Sequence, residues 1–467
     1  MCTCSAKART DIRPSTRSAA TIARSVSSTD AAPAATCLPD LDVAWVTLDD
    51  LSSLIHTLCQ MSRLIPRMSI LPWPCATIDV TIVLPTTTRE DSTMSEIDDL
   101  LPCREPVRFL SPDGTEAEPT PEMSERGYAI PPLEDLVKVW RAMVVGRRFD
   151  AQATALTKQG RLAVYPSSRG QDACQVAPVL ALQEDDWFFP TYRDSMALVT
   201  RGIDPVEVLT LLRGDWHCGY DPKATRTAPQ CTPLATQAVH AAGAADGLRR
   251  RGSDAVALCF IGDGATSEGD FHEGLNFAGV FNAPVVYLVQ NNKYAISVPL
   301  SKQTKAPALA YKGIGYGVRA EQVDGNDPAA VLAVTRKAYE HARSGKGPFL
   351  VEAHTYRMEA HTNADDATRY RTPDEVDEWT GQDPLVRLQA YLVAQGAIDD
   401  ARVEEVRQEA EEFAAALRHR MNADPQVDPA DLFAHVYARP TPQLREQAEM
   451  VAAEREASRP ETEEVAR

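Results

Sequence analysis

Two short apolar runs, each ending in a polar cluster, set the strongest constraint on how this chain can fold. Residues 255–261 read AVALCFI and lead straight into Gly262-Asp263-Gly264, while residues 284–289 read PVVYLV and lead into Gln290-Asn291-Asn292. Runs this short, apolar and partly β-branched fit strands buried on both faces of a parallel sheet. Between them, EGDFHEGLNFAGVF (268–281) places Phe271, Leu275, Ala278 and Phe281 along one face of a helix. The unit is therefore βαβ, with parallel strands and a right-handed crossover. Both polar clusters then lie at the carboxyl ends of strands on one edge of the sheet, where open α/β sheets bind their ligands.

The residue types at those two tips narrow the ligand. Asp263 and Asn292 offer hard oxygen donors suited to Mg²⁺ or Ca²⁺, and Mg²⁺ completes its octahedron with substrate phosphates. Gly262 and Gly264 let phosphate oxygens approach the backbone, and the following helix turns its first amides toward them. A lone Gly-Asp-Gly is most often a turn, and Asn-Asn is common in loops. About thirty residues apart, with strand, helix and strand between, they describe a metal-bridged diphosphate site.

The rest of the chain is consistent with a globular α/β protein. A net charge of −18 over 467 residues argues against general nucleic-acid binding. The most apolar early stretch, residues 51–75, is broken by Arg63, Arg67 and three prolines, so no membrane span is expected. Ten cysteines without CxxC or His partners read as free thiols of a reducing compartment. Residues 1–93 form an atypical extension, rich in Arg, Ser, Thr and Ala near its start. It reads either as an organelle transit peptide or as sequence ahead of a true start at Met94. Residues 94–130, acidic and Pro-rich, are expected to be a flexible arm. A principal domain is expected over 131–375, opening on a long helix from Leu133 to near Gly160. Amphipathic C-terminal helices follow over 376–445, then a frayed tail over 446–467.

Several longer segments, read together, resemble a known family. They are GRLAVYPSSRGQDACQVA, FFPTYRDSMALVTRGI, PLATQAVHAAGAA, GDGATSEGDFHEGLNFAGVF, VQNNKYAIS, QVDGNDPAAV, EAHTYRMEAHTNADDATRYR and DPLVRL. The stretch from Leu133 to Arg445 is similar to the alpha subunit of the decarboxylating component of 2-oxo acid dehydrogenase complexes, of pyruvate or branched-chain type. The resemblance implies the thiamine diphosphate-binding fold, a mostly parallel sheet flanked by helices with a C-terminal helical cap. It implies thiamine diphosphate and Mg²⁺ as cofactors, the metal held by Asp263, Asn292 and the carbonyl of Tyr294. Cofactor contacts are implied for Tyr192, Arg193, Thr232, Leu234, Gly264, Ala265 and Gln290. Cys231, Pro233, Thr236 and Gln237 match a loop that binds a monovalent cation, K⁺. His361 matches the family's catalytic His, also beside the cofactor, and Thr362 stands where mammalian relatives carry a phosphorylated Ser. Glu359-Ala360 departs from the usual Gly-Pro or Gly-His before that His, while Asp365 and Asp366 are expected to pair with Arg369.

The chain accounts for a single α/β domain, whereas the cofactor's aminopyrimidine needs a carboxylate from a second one. A separate beta subunit is therefore expected, in an alpha–beta heterotetramer that passes its acyl group to a lipoyl-bearing acyltransferase core. The substrate is a 2-oxo acid, with branched-chain 2-oxo acids favoured over pyruvate and acetoin. The expected location is the cytoplasm, or the mitochondrial matrix if the extension is a transit peptide. A non-catalytic scaffold subunit is the alternative from a different class. A Mg²⁺-dependent nucleotide enzyme is disfavoured, because neither GxxxxGK[ST] nor GxGxxG occurs.

Overall fold

The computed structural model describes residues 97–458, apart from Trp216 and residues 424–427. The expectations for residues 1–93 lie outside the described residues.

The chain alternates helices and strands through the expected region. In order these are α1 (Leu133–Lys158), α2 (Asp172–Leu180), β1 (Trp187–Phe189), α3 (Thr236–Arg250), β2 (Ala257–Gly262), α4 (Gly269–Phe281) and β3 (Val285–Asn291). A two-residue ribbon, β4 (Tyr294–Ala295) and β5 (Val298–Pro299), follows β3 directly. Then come β6 (Arg319–Asp324), α5 (Pro328–His341), β7 (Phe349–His354), α6 (Pro384–Ala394) and α7 (Asp400–Met421). The main sheet has the order β1-β2-β3-β7-β6 and every pairing in it is parallel.

Alternation along each strand divides the core between the two faces. Leu258, Phe260, Val286 and Leu288 pack with α1, α2 and α5, while Cys259, Ile261, Tyr287 and Val289 pack with α3 and α4. Strands buried on both sides need side chains that are apolar without interruption, which is why AVALCFI and PVVYLV carry so clear a signal. On α4, Phe271, Leu275 and Ala278 are buried, but Phe281 is 41% exposed and stacks on Phe277 instead. The helix has drifted far enough by its last turn to turn Phe281 outward.

Two boundary expectations differ from the structure. Residues 101–117 are not a free arm: Cys103, Val107, Phe109 and Leu110 are buried. Val107 bridges to Val323 on the outer edge of β6. The Glu321 carboxylate accepts the Cys103 amide at 2.7 Å, and Asp327 accepts the amides of Phe109 and Leu110 at 2.6 and 2.7 Å. Acidic, Pro-rich composition concealed a few apolar residues whose partners lie more than two hundred positions away. At the other end, Pro442–Ala457 is a helix, begun by Pro442 after the Thr441 cap, although none of its residues is buried. The α6 and α7 helices share the main core through Leu388, Leu392, Val406 and Leu417, so they are an integral wall of the domain.

Among the described residues the five cysteines are unpaired thiols, and no helix is long and apolar enough to cross a membrane.

Three half-buried histidines make the fold acid-sensitive. Burial lowers the pKa of His354 from 6.5 to about 3, and of His341 and His361 to about 4. The folded chain then binds fewer protons than the unfolded one below pH 6.5, so this stability is lost as pH falls toward those values. Asp327, pushed up to about 6, has the opposite sign and loses its contribution as pH rises. His354→Gln isolates one histidine: its melting temperature should fall less steeply than that of the unmodified protein between about pH 7 and pH 5. Parallel curves would remove His354 from the account.

Candidate active site

All the chemistry-bearing loops leave the sheet at its carboxyl edge. Gly262 pairs with Gln290 in the β2–β3 register, so Asp263 and Asn292 extend from adjacent strand tips on the same side. Tyr192 and Arg193 follow β1, and His361 lies on the loop after β7. Thr191 bridges to Cys231, bringing the loop before α3 alongside. Together these segments enclose a cavity of about 520 Å³, within the range of small-molecule and cofactor sites.

The sequence-derived residues converge there. Tyr192, Arg193, Asp263, Gly264, Ala265 and Gln290 line the cavity, as do Asn292, Tyr294 and His361. Thr232, Leu234, Cys231 and Gln237 line it from the side of α3, whereas Pro233 and Thr236 do not reach it. Arg357, Gln171, Asp194 and Glu268 also line it and were not singled out from the sequence. Nothing local marks them; only the fold brings them in.

Asp263 is 1% exposed and makes no ion pair among the described residues; its Oδ2 accepts from Gln303 Nε2 at 2.6 Å. Burial pushes its pKa above the ordinary carboxylate value, with the Gln303 bond pulling the other way. A buried carboxylate without a cationic partner is costly, and a bound cation removes that cost. Asn292 sits opposite, and the Tyr294 carbonyl, which accepts from Arg357 Nη1 at 3.3 Å, keeps a second lone pair. Lys293, between Asn292 and Tyr294, has a φ of 76°, and Ile296, in the turn of the β4–β5 ribbon just beyond them, has a φ of 56°. No cluster of three His, Cys, Asp or Glu able to hold a metal occurs among the described residues. The donor set is thus one carboxylate, one amide and one carbonyl, which suits a hard cation completed by phosphate oxygens.

The two glycines of the motif play different parts. A Cβ on Gly262 would meet nothing within 4 Å, so the backbone there is open to a ligand. A Cβ on Gly264 would sit 2.6 Å from the Ala295 Cβ, so this glycine is required for close packing of the β2 tip against β4. Gly264→Ala is therefore expected to part the two strand tips and weaken divalent-cation binding roughly tenfold, the size of a displaced supporting group. Titration with Mn²⁺ would check it, and an unchanged affinity would show that the tips can yield.

His361 is held as a neutral donor. Arg193 Nη2 lies 3.0 Å from its Nδ1 and also donates to its carbonyl at 3.0 Å, while the His361 amide donates to Asp365 Oδ2 at 2.8 Å. A guanidinium can only donate, so Nδ1 accepts and the ring proton resides on Nε2. Burial, then the Arg193 and Arg357 charges, lower its pKa to about 4. Arg193, assigned from the sequence to phosphate, thus spends Nη2 on His361 and donates from Nη1 to the Ser167 carbonyl at 3.0 Å. Arg357 is almost fully buried and ties the loops together. It donates to the carbonyls of Tyr294 and Ile296 and to the Tyr370 hydroxyl, which in turn donates to Asp365. The expected pairing of Asp365 and Asp366 with Arg369 is not found among the described residues. Asp365 faces Tyr370 and His361, and Asp366 caps the turn at Thr368. Glu359 pairs with Arg169 at 2.9 Å, accommodating its departure from Gly at that position.

Around the cation loop, Gln237 donates from Nε2 to the Phe260 carbonyl at 2.9 Å, and its Oε1 is buried without a partner. Cys231 contributes its thiol to the Pro233 carbonyl at 3.2 Å.

The model of the dehydrogenase E1 component matches residues 140–429. The chain belongs to that family. It is an oxidoreductase of the 2-oxo acid dehydrogenase class, in a family that depends on thiamine diphosphate. The 3-methyl-2-oxobutanoate dehydrogenase subunit alpha of Mycobacterium tuberculosis (strain H37Rv) is 45% identical over 350 residues, covering 75% of this chain and 94% of the relative. The pyruvate dehydrogenase E1 component subunit alpha of Bacillus subtilis (strain 168) is 38% identical over 325 residues, covering 69% and 88%. That of Staphylococcus epidermidis (strain RP62A) is 41% identical over 296 residues, covering 63% and 80%.

Proposed function

We propose that this dehydrogenase E1 chain is the alpha subunit of a branched-chain 2-oxo acid dehydrogenase. It would act on 3-methyl-2-oxobutanoate and its homologues and pass the acyl group to a lipoyl-bearing acyltransferase core. The observation that carries the reading is the convergence of Asp263, Asn292 and a neutral His361 on one cavity at the carboxyl edge of the sheet. The substrate choice is supported by the similarity to the mycobacterial 3-methyl-2-oxobutanoate subunit. Pyruvate is the second reading, favoured by the bacillar and staphylococcal relatives.

The residues fit the cofactors. Asp263, Asn292 and the Tyr294 carbonyl would hold Mg²⁺, and the open backbone at Gly262 would admit the diphosphate. The orphaned Gln237 Oε1 suits a monovalent cation such as K⁺. Thiamine diphosphate supplies the electron sink that makes loss of CO₂ feasible. This chain's own part is to position and to stabilise. His361 holds its proton on Nε2, fixed by Arg193, and would donate it as a hydrogen bond to negative charge developing on the substrate oxygen. With a pKa of about 4 it serves as a neutral donor near neutral pH, as a half-buried imidazole beside positive charge can.

A beta subunit would complete the site with the carboxylate that activates the aminopyrimidine, in an alpha–beta heterotetramer placed in the cytoplasm. The test is reconstitution with a beta chain and comparison of 3-methyl-2-oxobutanoate with pyruvate. The reading expects no decarboxylation by the alpha chain alone, and a higher kcat/KM for the branched substrate once the pair is formed. Full activity without a beta chain would overturn the division of labour, and preference for pyruvate would move the chain to the second reading.

A further inference from the structure

Behind the cation ligands runs a buried chain of three amides that ends in a carboxylate. Asn292 Nδ2 donates to Gln171 Oε1 at 2.6 Å, Gln171 Nε2 donates to Gln290 Oε1 at 3.0 Å, and Gln290 Nε2 donates to Asp194 Oδ1 at 2.7 Å. The other carboxylate oxygen, Asp194 Oδ2, accepts the Thr191 amide at 2.6 Å. Asp194 and Gln171 are no more than 2% exposed, Gln290 is 3% and Asn292 is 7%, so water has little access with which to rearrange them.

A carboxylate only accepts, whereas a carboxamide has one accepting and one donating end. Asp194 therefore forces Gln290 to present its NH₂ and to turn its oxygen toward Gln171. Gln171 must then donate to that oxygen and offer its own oxygen to Asn292. Asn292 in turn must spend its NH₂ on Gln171, which leaves Oδ1 for the cation. The Tyr294 amide, 3.3 Å from Asn292 Oδ1, favours the same orientation more weakly.

From this we infer that Asp194 is a positioning residue for the metal: acting through Gln290 and Gln171, it dictates that Asn292 presents oxygen rather than nitrogen at the β3 tip. The inference rests on the proposed reading of Asp263 and Asn292 as cation ligands. It assigns Gln290 a role inside the protein in place of the cofactor contact implied by the resemblance. It also makes a specific prediction about reversing the chain. In Asp194→Asn the Thr191 amide still demands an oxygen, so the new NH₂ faces Gln290. Gln290, Gln171 and Asn292 must then all turn over, and the cation meets an NH₂ group.

The decisive comparison adds Gln171→Glu. In the double variant the new carboxylate accepts from both Asn292 and Gln290, while the carboxamide that replaces the Asp194 side chain donates to the Gln290 oxygen. Every bond is again satisfied and Asn292 regains its orientation. Net charge is unchanged in that double variant. Mn²⁺ binding would be followed by the electron paramagnetic resonance signal of the free ion, on the full chain assembled with its beta partner and with thiamine diphosphate present. Melting temperature would be recorded in parallel.

Asp194→Asn should weaken Mn²⁺ binding about 10- to 100-fold, the range for groups that orient a ligand. In the Gln171→Glu background the same substitution should change it less than about threefold, a departure from additivity expected only of coupled residues. Gln171→Leu, which carries no charge change, should also weaken binding at least about tenfold because Asn292 loses its acceptor. Equal losses from Asp194→Asn in both backgrounds would show a merely electrostatic or structural role and overturn the inference, as would normal affinity in Gln171→Leu. Absence of Mn²⁺ binding by the unmodified assembly would instead overturn the metal reading on which this rests.

Discussion

Replacing Asp263 by Ala is expected to abolish cofactor-dependent activity by removing the carboxylate at the β2 tip. The loss of Mn²⁺ affinity should exceed about 100-fold, beyond what changes in supporting groups produce. The fold should survive, because the substitution also removes a buried carboxylate that makes no ion pair among the described residues. The metal-free variant should thus melt at or above the temperature of the metal-free parent, while the stabilisation seen on adding Mg²⁺ with thiamine diphosphate disappears. Calorimetry and thermal melts distinguish the two effects. A variant that still gained stability from the cofactor would place the metal elsewhere.

His361→Ala should act on the chemical step and leave cofactor binding intact. The loss of one preorganised donor to developing negative charge costs about 10²–10³ in kcat. His361→Gln, which keeps an N–H near the same place, should recover part of that loss. The pH dependence provides a second readout. Because burial and two guanidinium groups lower the His361 pKa to about 4, the imidazole stays neutral across the working range. No limb of the kcat/KM profile between about pH 5 and pH 8 should vanish in the variant. A limb near pH 6.5 that disappears with His361 would show that the ring titrates in catalysis and that a donor role is insufficient.

Legibility from sequence followed the range of the interactions involved. Strands buried on both faces need unbroken apolar runs, so β2 and β3 could be read directly, and their parallel pairing followed from the helix between them. That alone sent Asp263 and Asn292 to one edge. The packing of residues 101–117 could not be read, because Val107 and Phe109 find their partners on β6 and at Asp327. Arg357 illustrates the same limit within the site. It reads as one basic residue in a polar loop, yet it is buried and joins the ribbon after β3 to the loop after β7. Arg193 was legible as a candidate site residue and lines the cavity, but its engagement with His361 was not legible.

The amino-acid order determined the βαβ frame, the hard-oxygen donors at its two tips and the family to which they belong. Each of these rests on local periodicity or on residues within about thirty positions of one another. Tertiary structure decided the protonation and direction of the groups: that His361 is neutral with its proton on Nε2, and that Asn292 turns its oxygen outward. Both depend on burial and on hydrogen bonds between residues more than a hundred positions apart. A side chain's identity is written in the chain, but its charge state and orientation are set by the neighbours that folding supplies.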